Sequence, residues 1–201
     1  MDKKQGGRVV DGLHTVEGIT QDIKRSAFDE SEISVLRQSI SISEDLISDF
    51  YKISTSEWKR YRYDIQSLKD LHEEEITDGA FAQIRRYRRC PDERLRGSEV
   101  GDFFKICLQD HVIRRATQRD PGIRLFPLSV YIVIHELIHV VRFARFLQRF
   151  DSTTAERDAE EKRVHALTFQ LLGGCRIGGI AEILDAFRDS RAMETFVGLS
   201  E

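Results

Sequence analysis

The chain has 201 residues, 32% of them charged, with 31 Lys and Arg against 34 Asp and Glu for a net charge of −3. This length allows one domain, or one domain with a helical appendage, and a sizeable core. The near-balance of charge excludes a global attraction to a polyanion, and no apolar run reaches the ~18 residues of a membrane span without a charge inside it. Cys90, Cys107 and Cys175 follow no regular spacing, so neither a zinc ribbon nor a disulfide frame is expected. The opening Met1–Gly7 is not followed by an apolar segment of the secretory kind, which makes the cytoplasm the expected compartment.

In chain order, the stretch to Ile23 is Gly-bearing and weakly periodic and reads as loosely attached. From Ser31, Ile33, Leu36 and Ile40, then Leu46, Ile47 and Phe50, form one face of one or two amphipathic helices, with Ser43 a candidate N-cap between them. Ser54 opens a further helix with Trp58, Tyr61, Ile65, Leu68 and Leu71 as its stripe. The next is expected from Asp78, carrying Phe81, Ile84 and Tyr87. Cys90–Arg96 reads as a loop. Val100–Ile113 fits a strand or a helix on pattern. Asp120-Pro121-Gly122 is a turn, Ile123–Phe126 a short strand, and Pro127 opens an apolar helix expected to run to Phe150, before a break at Asp151–Thr153. A second helix runs from Thr154, a candidate N-cap, to Gly173-Gly174, with acids in its first turns. Ile180–Phe187 reads as the last. The expected organisation is a helical region over 1–95 and a second domain over 96–201.

The apolar helix carries the chemistry. His135-Glu136-Leu137-Ile138-His139 lies inside the run Leu128–Phe143. Histidines four apart project from nearly the same helix face, one above the other, so one divalent ion can take both imidazoles. Glu136 lies about 100° round the helix from His135, where it can meet a metal-bound water without being a ligand. The simplest alternative is a surface helix with no metal. The flanks oppose it, because Tyr131–Ile134 and Leu137–Val141 are apolar on every side and such a helix is usually buried. Two imidazoles and a carboxylate in a buried helix cost several kcal/mol unless something satisfies them, and a metal with its water does so.

A site of this kind needs a third protein ligand and leaves the fourth position to water. Arg142 and Arg145 stand where a metzincin carries Gly and His, which excludes that subclass. The remaining donors are on the second helix, where Asp158, Glu161 and His165 share a stripe with Val164, Leu167 and Leu171. Coming back alongside the first helix at about 1.5 Å per residue, the chain regains the level of His139 between Glu160 and His165. Glu156, Asp158, Glu160, Glu161 and His165 are the candidates.

With His-Glu-x-x-His on one helix and acids on a following antiparallel one, residues 125–172 resemble a gluzincin zinc peptidase, in particular the compact minigluzincins. The resemblance implies zinc (Zn2+) as cofactor, His135, His139 and Glu161 as ligands, and His165, four residues after Glu161, as the residue bracing a ligand histidine; those proteins usually carry Asp or Asn there. It implies a zincin-like α+β fold, mostly helical, with a small sheet above the metal helix. A strand or hairpin is therefore favoured within 100–113, its edge open to an extended peptide or protein substrate. Glu136 is then the general base for a metal-activated water. A second oxyanion donor is left open among His111, Tyr131 and Arg142.

Other readings use the same letters. Glu136-x-x-His139 is also the motif that di-iron helical bundles carry twice, and the chain has no second copy. A zinc-binding regulatory protein with little protease activity is a third class; Glu136 favours catalysis over it, since a purely structural zinc site is closed by four protein ligands. The run Glu57–Tyr63 and the arginines of 85–96 could face nucleic acid, but Trp58, Tyr61 and Ile65 keep core spacing while Lys59, Arg60 and Arg62 fall on the solvated side. Nucleic-acid and membrane partners are therefore not expected. Arg89-Cys90-Pro91-Asp92 faintly resembles a cysteine switch, against the simpler reading of a loop cysteine.

Overall fold

The computed structural model describes residues 25–87, 102–149 and 152–188. The stretch to Ile23, the Cys90–Arg96 loop, Phe150 and Asp151 at the expected helix break, and the chain from 189 lie outside the described residues. Among the described residues the fold is α+β, 59% helical, with a small three-stranded mixed sheet.

Asp29 caps α1 (Glu30–Tyr51): its carboxylate accepts from the Glu32 N–H while Glu32 accepts from the Asp29 N–H at 2.9 Å, so two orphan donors are satisfied together. The helix is continuous. Ser43 does not start a second one; its hydroxyl donates to Ser39 O at 2.7 Å. Ser39 and Ser43 are fully buried against α4 (Leu125–Ala144), their hydroxyls 3.4 and 3.5 Å from Phe126 O and Val130 O. Small side chains four apart let the two helix backbones approach closely.

Two expected helices are broken by strands. Ser54 does cap a helix, with Glu57 completing the box, but α2 (Thr55–Trp58) lasts one turn. The chain then enters β1 (Tyr63–Gln66). The segment expected to be helical from Asp78 is β2 (Ala82–Tyr87). Both pair with β3 (Phe103–Leu108), which bears out the strand expected within 100–113; β1 runs parallel to it and β2 antiparallel, in the order β1-β3-β2. Spacings of three and four residues among Tyr61, Ile65, Phe81, Ile84 and Tyr87 imitate a helix. Ladder hydrogen bonds to a strand distant in sequence decide the matter, and aromatic and β-branched side chains favour them. Ile123–Phe126 is not a strand: Arg124 is an extended N-cap and the helix begins at Leu125. Pro127 sits at its third position, where its missing N–H has no helical partner to lose.

The two faces of the sheet do different things. Phe104, Ile106 and Leu108 turn towards the helices, and Phe104 stacks on Phe143 of α4 at 5.4 Å between ring centroids. Lys105 and Cys107 point the other way, towards a short 3-10 turn, Glu73–Glu75. There Lys105 Nζ lies 2.8 and 2.7 Å from the two oxygens of the fully buried Glu75, which also accepts from Tyr87 OH at 2.5 Å. Burial opposes ionisation of Glu75, but Lys105, Tyr87 and the His72 N–H overcome it and hold the carboxyl at about 2. A carboxyl depressed from the ordinary 4.5 stabilises the fold above that pH and ceases to as pH falls towards its folded value. Stability should therefore fall by on the order of 3 kcal/mol at most between about pH 4.5 and 2. Chemical denaturation at stepped pH measures this, and Lys105→Met should shrink the acid-dependent part.

Asp110, at the start of α3 (Asp110–Arg119), accepts from the Phe28 and Leu68 N–H groups at 2.8 and 3.1 Å, tying the chain before α1 to the sheet. β1 and β2 precede residue 95 and β3 follows it, so the regions expected on either side of 95 share one sheet. One apolar cluster runs from Phe28 to Phe187 of the segment after α6 (Ile180–Ala186). At its centre is α4. By length and composition it could cross a membrane, yet 89% of its apolar window is buried in the protein.

Candidate metal centre

Every residue of α4 from Pro127 to Phe143 is buried. The charged and imidazole groups of this stretch are therefore held inside the core rather than on a wet face. α5 (Thr154–Leu172) supplies their partners. Its N-cap is Thr153, one residue before the expected Thr154, in a capping box with Glu156. Its contacts with α4 run in opposite order: Glu160 meets Arg142, Glu161 meets His139 and His135, and His165 meets Tyr131. The helices are thus antiparallel, and the register places Glu161 opposite the histidine pair.

His135 Nε2 lies 3.3 Å from Glu161 Oε2, and His139 Nε2 lies 3.2 Å from Glu161 Oε1. The three donor atoms fall within 4.8 Å of one another. A tetrahedral zinc with bonds of about 2.0–2.1 Å sets its ligand atoms roughly 3.3 Å apart. Two imidazole nitrogens and one carboxylate form the donor set of a zinc site that keeps its fourth position open. These residues fit the ion.

The electrostatics fit it too. Burial opposes ionisation of Glu161, but His139 and His135 outweigh it and hold the carboxyl well below the usual range. The two imidazoles respond in opposite directions. Burial lowers His135. Burial also works against protonating His139, but the charges of Glu161 and Glu136 and the hydrogen bond to Gln148 lift it to about 9. One buried carboxylate thus draws one proton to the histidine pair, so the site favours a cation at this point. Glu136, next to His135 on α4, is 3% exposed, and burial pushes it up to about 8.

The remaining candidates are placed elsewhere. His165 Nδ1 lies 3.0 Å from Tyr131 OH, and its ring packs on Phe169. Arg142 forms a buried ion pair with Glu160, which also meets Arg163 at 3.1 Å. His111 Nε2 faces Asp78 at 3.0 Å. Asp158 and Glu156 are exposed. Burial pushes the Cys107 thiol up to about 12, which leaves it inert at neutral pH. Among the described residues the three-residue group is the one cluster able to hold a metal, and Glu161 with His165 does not supply a second site.

Sequence reasoning missed Gln148. It follows α4, and its Oε1 lies 3.1 Å from His139 Nδ1. The helix stops at Ala144, short of the expected Phe150, and the turn that follows returns Gln148 to the site. Beyond Phe143, whose ring stacks on His139 at 6.2 Å, lies a cavity of about 500 Å³ bounded by Tyr61, Phe104, Phe143 and Phe146. No family model matches the chain, and no match is found among curated proteins or solved structures.

Proposed function

We propose that the chain is a zinc-dependent peptidase of the gluzincin kind, with His135, His139 and Glu161 as ligands and Glu136 as general base. The observation that carries this reading is the convergence of two imidazoles and a carboxylate from antiparallel helices, with a second buried carboxylate one residue from the first ligand. The zinc ion would supply a Lewis acid that polarises the scissile carbonyl and acidifies a water. Glu136 would take the proton released in the attack and return it to the leaving amine. Burial raises the Glu136 carboxyl, so its ionised form is a stronger base than an exposed glutamate, and the positive charge of a bound zinc would favour that ionised form. Glu161, held as a carboxylate, would keep the two imidazoles convergent. The substrate is a peptide or protein chain, and one of its side chains would occupy the cavity beyond Phe143.

One observation favours a second reading. The four residues of the site are at most 4% exposed, as suits a metal held for regulation with little turnover. A peptide-library digest separates the two. Zinc-loaded protein should cleave, chelated protein should not, and zinc should restore cleavage. Zinc-loaded protein that cleaves nothing overturns the peptidase reading and leaves the regulatory one.

A further inference from the structure

Gln148 is delivered by an unusual turn. Phe146 has φ 55°, the left-handed region where a Cβ is disfavoured and glycine is usual after a helix. Its ring is 94% exposed, so packing does not account for the choice. What the turn achieves is a reversal. The Phe146 N–H donates to Phe143 O at 3.0 Å and the Leu147 N–H to Arg142 O at 2.9 Å, and the next side chain folds back onto a histidine nine residues earlier.

An amide oxygen can only accept a hydrogen bond. A metal on His139 Nε2 leaves the ring proton on Nδ1, and Gln148 Oε1, 3.1 Å away, is placed to accept it. The other nitrogen, Nε2, is then the one able to offer a lone pair, and it is the nitrogen that faces Glu161. Gln148 Nε2 is buried and makes no hydrogen bond among the described residues.

We propose that Gln148 is a positioning residue, whose single hydrogen bond fixes the tautomer and ring orientation of His139 and so tightens metal binding at the His135–His139–Glu161 centre. This rests on the metal reading above. Bonds of this type to a ligand histidine are worth about 10–100-fold in metal affinity.

The test is zinc affinity of the full chain, by competition with a chromophoric chelator, in wild type, Gln148→Leu, Gln148→Asn and Gln148→Glu. Leu keeps bulk and removes the acceptor. Asn keeps the amide on a stem too short to reach. Each should weaken zinc binding about 10–100-fold, while the melting temperature of the metal-free protein stays unchanged. Glu restores an acceptor and should recover wild-type affinity or better, with a wild-type cobalt absorption spectrum. Leu and Asn variants that bind as wild type overturn the proposal, and so does a Glu variant that stays as weak as Leu. Wild-type protein that binds no metal overturns the centre itself and this proposal with it.

Discussion

Glu136→Gln should abolish peptide hydrolysis while leaving the metal bound. The substitution keeps the volume of a side chain that is 3% exposed, so the core around α4 needs no repacking. It removes the only property the mechanism asks of this residue, a carboxylate able to take and return a proton. General-base groups contribute about 10²–10⁴ in rate, and the loss in turnover should fall in that range. Elemental analysis of the same variant should still find metal, because His135, His139 and Glu161 are intact. A Glu136→Gln protein that cleaves as wild type does would remove the catalytic role from this residue.

Glu161→Ala should instead destroy the metal centre. Glu161 is the sole donor from α5 in the cluster, and its two oxygens each face one histidine. Metal affinity should fall by more than the ~10–100-fold that an outer contact is worth. Thermal unfolding reports this without any substrate. A ligand present at 1,000 times its dissociation constant adds about 4 kcal/mol to the folded state. For a chain of this size that is roughly 8–16 °C in melting temperature. Wild type should show such a rise when zinc is added, and Glu161→Ala should show none. The metal-free variant should also be less stable than metal-free wild type, because removing one partner of a buried ion pair costs about 3–5 kcal/mol. A zinc-induced rise that survives in Glu161→Ala would show that the third ligand lies elsewhere.

What could be read in advance divides along physical lines. The histidine pair obeys helix arithmetic, since four-residue spacing sets two imidazoles on one face. A fixed rise per residue narrows the third ligand to the stretch from Glu160 to His165, and the family resemblance is what singles out Glu161 within it. The sheet obeys no such local rule. Tyr61 with Ile65, and Phe81 with Ile84 and Tyr87, carry spacings that suit a helix, and only the pairing of both segments with β3 turns them into strands. Ser43 looked like a cap because serine often is one; it lies mid-helix because a small residue is needed where α1 meets α4. Gln148 was hidden for a different reason. Its role depends on a left-handed phenylalanine, a backbone state that composition does not announce. His165 has the spacing from Glu161 expected of a brace, and its Nδ1 lies 3.0 Å from the hydroxyl of Tyr131, one turn of α4 before His135.

The most direct test of the account is the metal content of the full chain, purified without an affinity tag, measured by elemental analysis beside Glu161→Ala and His139→Ala. The account expects one zinc per chain in the wild type and none in either variant. Wild-type protein that takes up no zinc when the ion is supplied, or variants that retain it in full, would contradict the claim that these two helices hold an ion between them.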